Sequence, residues 1–474
     1  MKTYSLLTLL LALLITGCAI GPDYQQPTVV TPTQFRHSDA NTSAPINQEW
    51  WKAFGDPHLT KSIEEAITNN FDLISADANI DSMLGKFDSA KSYLYPQINA
   101  NGSMTRTSAN SPLFRGSSGS PLTIYSANLS LTSYEIDLFG RVQRANEVVR
   151  AQLLATDYSR QTLLLSIISN TAASYLKLSS LDGQIALAKE QIKASQEIYN
   201  VNALKFNYGN IAQSILLQSR AELENSKALL AQLNGAKIAE EATFNLLLGR
   251  NPTSVITSDL ESIAYPKVPA YLPSQVLQKR PDIAYAQENL IAANAKVGIA
   301  MAGYYPSFKL TGLLGIQSID LASFASNPTQ MWELLPSISI PIFTAGRVSG
   351  EIKTAQADYN ATLSSYQKSI VNALNDVDSA LGQNHSLEEQ LEHQRQRSGA
   401  MKTAFDQTRM RYEVGTISYS DLLLVQLQWV AAQQNYILAK QNSLISSVNM
   451  YKALGGGWDA NQTIPIPTML PAGR

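Results

Sequence analysis

The residues best suited to metal or acid–base chemistry are four histidines, His37, His58, His385 and His393, and they are spread along the chain. The last two lie eight residues apart on a charged segment, so a metal ion between them would need Glu389 as a further ligand. A solvated helix face explains the same segment with fewer assumptions. We therefore predict no metal site and no cofactor.

The other candidate for chemistry is the run Gly455-Gly456-Gly457. Phosphate-binding loops lie between a strand and a helix, whereas this run follows a predicted helix. Glycine is common just beyond the end of a helix, so we interpret the run as a helix stop. Because the sequence shows no acid–base pair and no activated nucleophile, an enzyme is the weakest functional class.

The N-terminus has the pattern of an export signal. Residues 1–17 begin with a charged end, continue as an apolar run from Leu6 to Ile15, and finish with small residues before Cys18. The run is too short for a membrane-spanning helix. Cys18, the single cysteine, lies where the bacterial lipobox places its lipidated residue, although an ordinary signal peptide with an incidental cysteine is the alternative. We predict a covalent lipid on Cys18.

Composition and charge limit the partners and membrane segments that this chain could have. Net charge is −2 and there is no block of Lys or Arg, so we expect no nucleic acid partner. Residues 18–48 are rich in Pro, Thr, Gln and Asn, which predicts an extended tether behind the lipid. No later stretch contains 18 consecutive apolar residues. An exported chain of this kind can cross an outer membrane only as a closed β-barrel.

The remaining sequence is duplicated. Residues 69–102 align with 279–312 at an offset of 210, and a later region aligns at an offset of 206. The second alignment pairs Gly140 with Gly346 and Gly209 with Gly415. Internal repetition predicts an architecture built from similar units placed side by side.

Each unit has the same predicted order of helix, β-hairpin and long helical hairpin. The first helix of the first unit is expected from about Leu59 to Tyr93 without interruption, and strands are expected at 97–107, 122–139, 307–317 and 334–343. The predicted division is a signal at 1–17, a tether at 18–48, a first repeat at 49–265 (β-hairpin 97–139, helical hairpin 140–250), a second repeat at 266–458 (β-hairpin 307–343, helical hairpin 346–455) and a tail at 459–474.

The predicted strands and long helices both require further copies of the chain. Apolar residues alternate with polar ones in the strands, which suits a barrel, although a soluble hairpin is the alternative. Two hairpins give four strands, whereas membrane barrels begin at about eight, so at least two chains must combine. The long helices show coiled-coil spacing and reach roughly 100 Å, which suits a tunnel wall, with a solid bundle as the alternative.

Three segments carry a family resemblance: 50–59 (WWKAFGDPHL), 272–312 and 411–426 (RYEVGTISYSDLLLVQ). They resemble the TolC-like outer-membrane factors, specifically the OprM/NodT-type efflux lipoproteins. The resemblance implies a mostly helical protomer in a homotrimer, with a twelve-stranded β-barrel in the outer membrane on a twelve-helix periplasmic α-barrel.

The implied function is that of a passive exit duct for small molecules such as drugs and toxic compounds. A periplasmic adaptor would connect the duct to an inner-membrane pump, which the resemblance implies is of the RND type. Outer-membrane lipid would surround the barrel. The alternatives are a channel for polypeptide secretion and a non-conducting structural lipoprotein. Paired β-hairpins argue against the structural lipoprotein, because a scaffold needs no barrel strands.

The two helical-hairpin turns are the candidate site. Glycine at equivalent places predicts a positive φ at Gly209 and Gly415. From the resemblance, the tips dock on the adaptor; they comprise Asn207, Tyr208, Gly209, Asn210, Ile211, Glu413, Val414, Gly415, Thr416, Ile417 and Ser418.

The gate is expected beside these tips. In the family an aspartate follows two leucines here, but this chain has Leu424 at that position. Asp421 is a candidate for a displaced acidic ring, with Arg411 or Lys205 as ion-pair partner. Equally, Asp421 is interpreted as a charge that favours the N-terminus of its helix.

Overall fold

A computed structural model describes residues 19–29, 32–37, 48–107, 121–266, 276 and 279–458. The predicted signal, Cys18 and the tail at 459–474 lie outside the described residues. In chain order the elements are α1 (Pro57–Asn69), α2 (Phe71–Ser92), β1 (Ile98–Thr107), β2 (Leu122–Ile136), α3 (Arg141–Asn207), α4 (Gln213–Leu247), α5 (Pro281–Ala302), β3 (Ser307–Ser318), α6 (Leu321–Ser326), β4 (Thr329–Ser339), α7 (Arg347–Glu413) and α8 (Tyr419–Ala453).

The two longest helices, α3 and α7, each contain 67 residues and reach roughly 100 Å. Neither contains proline, and each starts after a glycine in the left-handed region, Gly140 (φ 75°) and Gly346 (φ 88°). Helices of this length need neighbours, and contacts run from α2 and α4 to α3, then to α5 and α8, then to α7. The helices therefore form a layer bordered by α2 with α4 and by α7. In the described part of the chain, no helix is long and apolar enough to cross a membrane.

The first helix is broken, which corrects the prediction of one helix from Leu59 to Tyr93. The break is at Asn70, whose side-chain oxygen accepts the Asp72 N–H at 2.9 Å and so caps α2. Its amide nitrogen also donates to the Leu247 carbonyl at 2.8 Å, at the end of α4. The break therefore stacks α2 end to end on α4.

The second repeat has the same stacking joint. Arg280 occupies the position equivalent to Asn70 and donates to the carbonyl oxygen of Ala453, the last residue of α8, at 3.1 Å. Arg280 also pairs with Asp282 at 2.7 Å and with Asp376 at 3.1 Å. The duplication thus preserves the joint between stacked helices while its chemistry changes from a neutral amide to a paired guanidinium.

The four strands form one antiparallel sheet in the order β1-β2-β3-β4. The pair β2–β3 joins the two repeats, and a bulge between Leu131 and Tyr134 places Ser133 at φ 42°. Two predicted bounds are wrong: β2 ends at Ile136, not 139, and β4 spans Thr329–Ser339, not 334–343. The end of β4 is determined by its pairing with β3. Ser339 pairs with Ser307, the first residue of β3, so residues after Ser339 have no partner in that strand.

The sheet has one apolar and one polar face. Register places Ala100, Leu129, Leu314 and Trp332 side by side on the first face. The second face carries hydrogen-bonded polar side chains in β1 and β2, including Asn101 to Ser130 at 2.9 Å and Ser103 with Ser126 at 2.7 Å. This alternation is the one that a membrane barrel requires.

Part of the predicted tether is packed against the helices. The Ile20 N–H donates to the Phe139 carbonyl at 3.0 Å, beside the start of α3. Arg144, whose side chain is 6% exposed, pairs with Asp23 at 2.6 Å. The described residues 19–29 therefore lie at the junction of the sheet and the helices.

Candidate functional site: the helical-hairpin mouth

Both hairpin tips are built by the same backbone geometry. Gly209 has φ 74° and Gly415 has φ 80°, which confirms the predicted positive φ. In the first tip the Asn210 N–H bonds to the Lys205 carbonyl at 2.8 Å, and in the second the Thr416 N–H bonds to Arg411 at 3.0 Å. A Cβ at either glycine would meet no atom within 4 Å. Glycine is therefore favoured here by backbone conformation and not by lack of space.

The tips present apolar side chains to solvent. Tyr208 is 80% exposed and Val414 is 76% exposed, whereas Ile211 and Ile417 are half-buried under the turns. The other predicted tip residues are also exposed: Asn207, Gly209, Asn210, Glu413, Gly415, Thr416 and Ser418. An exposed apolar side chain at the end of a rigid hairpin is suited to contact with another protein.

The gate candidates do not form one cluster. Arg411 and Leu424 are exposed, and Asp421 is exposed on α8. Lys205 lies over the ring of Tyr412, with its nitrogen 4.0 Å from the ring centroid. Among the ion pairs of the described residues, none joins Asp421 to Arg411 or to Lys205.

Asp421 caps its own helix. Its carboxylate accepts the Ser418 N–H at 3.2 Å and the Ser418 hydroxyl at 2.7 Å, while the Asp421 N–H donates back to Ser418 Oγ at 3.2 Å. This reciprocal pair is a capping box at the start of α8. The contact supports the helix-terminal interpretation, and the role of Asp421 in a gate ring stays a prediction.

A set of contacts that the sequence did not predict joins the two hairpins near their tips. The Tyr412 hydroxyl donates to Asn202, and both residues are buried. Arg409 pairs with Glu197 across the same pair of helices. We call Glu197, Asn202, Lys205, Arg409 and Tyr412 the inter-hairpin latch. Burial raises the pKa of Tyr412, so its phenol stays a donor at neutral pH.

A buried layer continues the latch along the helices. Gln426 on α8 donates to Ser195 on α3 at 2.9 Å, and Phe405 stacks on Trp429 with centroids 4.5 Å apart. Burial also raises the pKa of Glu222 on α4, close to this layer. Near the tips the two hairpins are therefore held together by polar contacts at several levels, while the aromatic stack joins α7 to α8 within the second hairpin.

The described residues contain no group of three or more His, Cys, Asp or Glu placed to hold a metal ion. His385 and His393 lie on α7 as predicted from the sequence, and His37 lies against Gly382 of the same helix. The described structure contains exposed helical-hairpin tips, the inter-hairpin latch, and a sheet with one polar face.

This combination defines a subunit of an outer-membrane channel, in which long helices continue a sheet that presents one face to lipid and one to water. The chain belongs to the outer membrane efflux protein family, whose model matches residues 62–250 and 272–456. The predicted family, the channel fold, the outer-membrane location and the role of an exit duct in efflux are confirmed.

Relatives cover nearly the whole chain. The cation efflux system protein CusC of Escherichia coli O6:H1 is 30% identical over 467 residues, 97% of this chain and 100% of that protein. The probable efflux pump outer membrane protein TtgC of Pseudomonas putida is 30% identical over 480 residues, 98% of this chain and 99% of that protein. The crystal structure of the Campylobacter jejuni CmeC outer membrane channel matches with a TM-score of 0.85 and 25% identity, over 94% of this chain and 96% of that one.

Proposed function

We propose that three copies of this chain close into a passive duct that carries small molecules out of the cell. The observation that carries the proposal is that one copy is structurally incomplete. Within the described residues, the sheet ends in unpaired edges at β1 and β4, and the helical layer ends at α2 with α4 and at α7. A barrel removes such edges. Three copies of the four-stranded sheet give twelve strands, the number that the family resemblance implies.

The pairing inside one copy predicts the pairing between copies. In the internal β2–β3 pair, Ile136 lies opposite Phe308. The repeat offsets convert these positions to Ile342 and Ile98, so β4 should pair with β1 of the next copy with Ile342 opposite Ile98. Ile342 is 89% exposed in one copy, just beyond the last residue of β4. Residues 340–342 would thus become strand only on closure.

Cysteines at the two positions test this closure. We expect Ile98→Cys with Ile342→Cys to give covalent trimers on non-reducing gels, because opposite residues in antiparallel strands lie about 4.5–5.5 Å apart at Cα. Met104→Cys with Ile342→Cys is the control, since six residues along a strand is about 20 Å. Trimers linked only in the control pair would show a different register, and monomers in detergent would contradict closure itself.

The two ends of the proposed duct are suited to different partners. The exposed side chains of Tyr208 and Val414 are suited to docking on a periplasmic adaptor, which connects the mouth to an inner-membrane pump of the RND type. The hydrogen bond from Ile20 to Phe139 supports an anchor near the helical end of the sheet, because Cys18 precedes Ile20 by two residues in the sequence. The anchor and the barrel would then enter the same membrane leaflet.

Accumulation of a fluorescent efflux dye tests the function. Cells without this gene should retain more dye, and the wild-type chain should restore export. Tyr208→Asp with Val414→Asp should leave trimers intact but fail to restore export, because charge at the exposed tips opposes apolar docking. Unchanged dye levels in the deletion, with intact trimers, would favour polypeptide secretion. Full export by the tip variant would place the docking surface elsewhere.

A further inference from the structure

We propose that Glu333 sets the ion preference of the outer part of the channel. The inference rests on the proposed function, because Glu333 forms a ring of carboxylates only when the copies surround one lumen. It concerns the selectivity of the duct and not its gate.

Register places Glu333 on the polar face of the sheet. Across the strands it lies opposite Leu313, which pairs with Ser130, which in turn pairs with Asn99. Its neighbours in β4, Trp332 and Leu334, lie on the apolar face and are 78% and 60% exposed. An ionised carboxylate is costly in hydrocarbon, so the polar face must line the lumen.

Glu333 is also the one charge of the four strands that is placed on this face without a countercharge. The other charged strand residues are Arg106, Glu135 and Lys309. Arg106 lies on the apolar face near the outer end of β1. Glu135 is hydrogen-bonded to Arg141 at 2.7 Å and lies opposite Lys309 in register. Among the ion pairs of the described residues, none includes Glu333, which is exposed.

The field of such a ring reaches the channel axis. In a twelve-stranded barrel the lumen side chains lie roughly 10 Å from the axis, close to the Debye length of about 10 Å at 0.1 M salt. Three carboxylates at that distance favour cations over anions by roughly three- to tenfold. At the inner end of the sheet, Lys309 and Arg141 are matched in number by Glu135 and Asp137. Among the described strand residues, Glu333 is therefore the uncompensated charge that cargo would meet on the polar face.

The reversal potential of single trimers in a planar bilayer under a KCl gradient tests the inference. We expect Glu333→Gln to lower the cation-to-anion permeability ratio roughly threefold or more, and Glu333→Lys to lower it further. Met331→Gln is the matched control, because it lies two residues away on the same face and changes no charge. Combining Glu333→Gln with Met331→Glu returns a carboxylate to the face and should restore the preference.

The outcomes separate the two proposals. Absence of any conductance from wild-type trimers would overturn the proposed duct. Normal conductance with the same reversal potential in wild type, Glu333→Gln and Glu333→Lys would leave the duct standing and overturn the role of Glu333. If the lysine variant fails to assemble, the glutamine and relocated-carboxylate variants still decide the question.

Discussion

Combining Arg409→Glu with Tyr412→Phe should open the channel mouth and raise single-channel conductance several-fold. The two changes remove different parts of the inter-hairpin latch. The Arg409–Glu197 pair is partly exposed, at 34% and 41%, so by itself it contributes less than about 1 kcal/mol. The Tyr412–Asn202 bond is buried, and its loss leaves a polar side chain without its partner at a cost of about 1–3 kcal/mol.

The buried hydrogen bond should therefore contribute more to the closed mouth than the ion pair does. Tyr412→Phe alone is expected to raise single-channel conductance more than Arg409→Ala alone. A loss of about 2 kcal/mol in each copy changes the balance of closed and open mouths roughly thirtyfold per copy. Arg395→Glu is the matched control, since Arg395 lies on the same helix but pairs with Glu392 of that helix. Equal conductance in the latch variant, the control and wild type would show that the latch does not hold the mouth.

Asp421→Ala distinguishes the two interpretations of that residue in the same recordings. If Asp421 is part of an acidic gate ring, its removal raises conductance. If it serves only the capping box, conductance stays unchanged and the helix loses about 1 kcal/mol of stability.

Among the described glycines, Gly249 is the one at which substitution by alanine should cause the largest loss of stability. Gly249 follows α4 at the joint with α2 and has φ 66°, where an added side chain is strained. Its Cβ would also collide with the carbonyl oxygen of Asn69, which is backbone and cannot swing aside. We expect a loss of about 2–4 kcal/mol.

Gly235→Ala is the matched control for this prediction. It lies inside α4, where a Cβ meets no atom within 4 Å. Alanine favours a helix over glycine, so this variant should gain about 0.5–1 kcal/mol. The measurement is the temperature at which folded trimers are lost. Opposite shifts support the joint as a rigid contact, whereas equal midpoints for the two variants would contradict it.

Much of the fold was predictable because periodicity and duplication are local signals. The long helices and the positive φ at Gly209 and Gly415 follow from spacing and glycine placement alone. The break at Asn70 did not, because no proline or glycine marks it. A carbonyl at Leu247, remote in sequence, accepts its amide and favours the break.

The candidate site also divides into features with a local sequence signal and features that depend on contacts remote in sequence. Its tips were predicted, but the latch was not, since the contact of Tyr412 with Asn202 depends on how far one helix slides along another. That stagger has no local signature. Opposite charges on the two long helices, such as Glu197 and Arg409, are the sequence signal that limits the possible staggers of α3 against α7. The bounds of β4 were wrong for a related reason, because its partner strand sets its length.

The unpaired edges of the sheet also constrain how this protein is made. Before assembly, a single subunit would carry two open strand edges and one apolar face through the aqueous periplasm, and such surfaces aggregate. Chaperones that hold the strands unfolded until they reach the membrane would prevent this. Biogenesis then requires that the helices fold early and the sheet last, with strand pairing, membrane insertion and subunit association completed as one event.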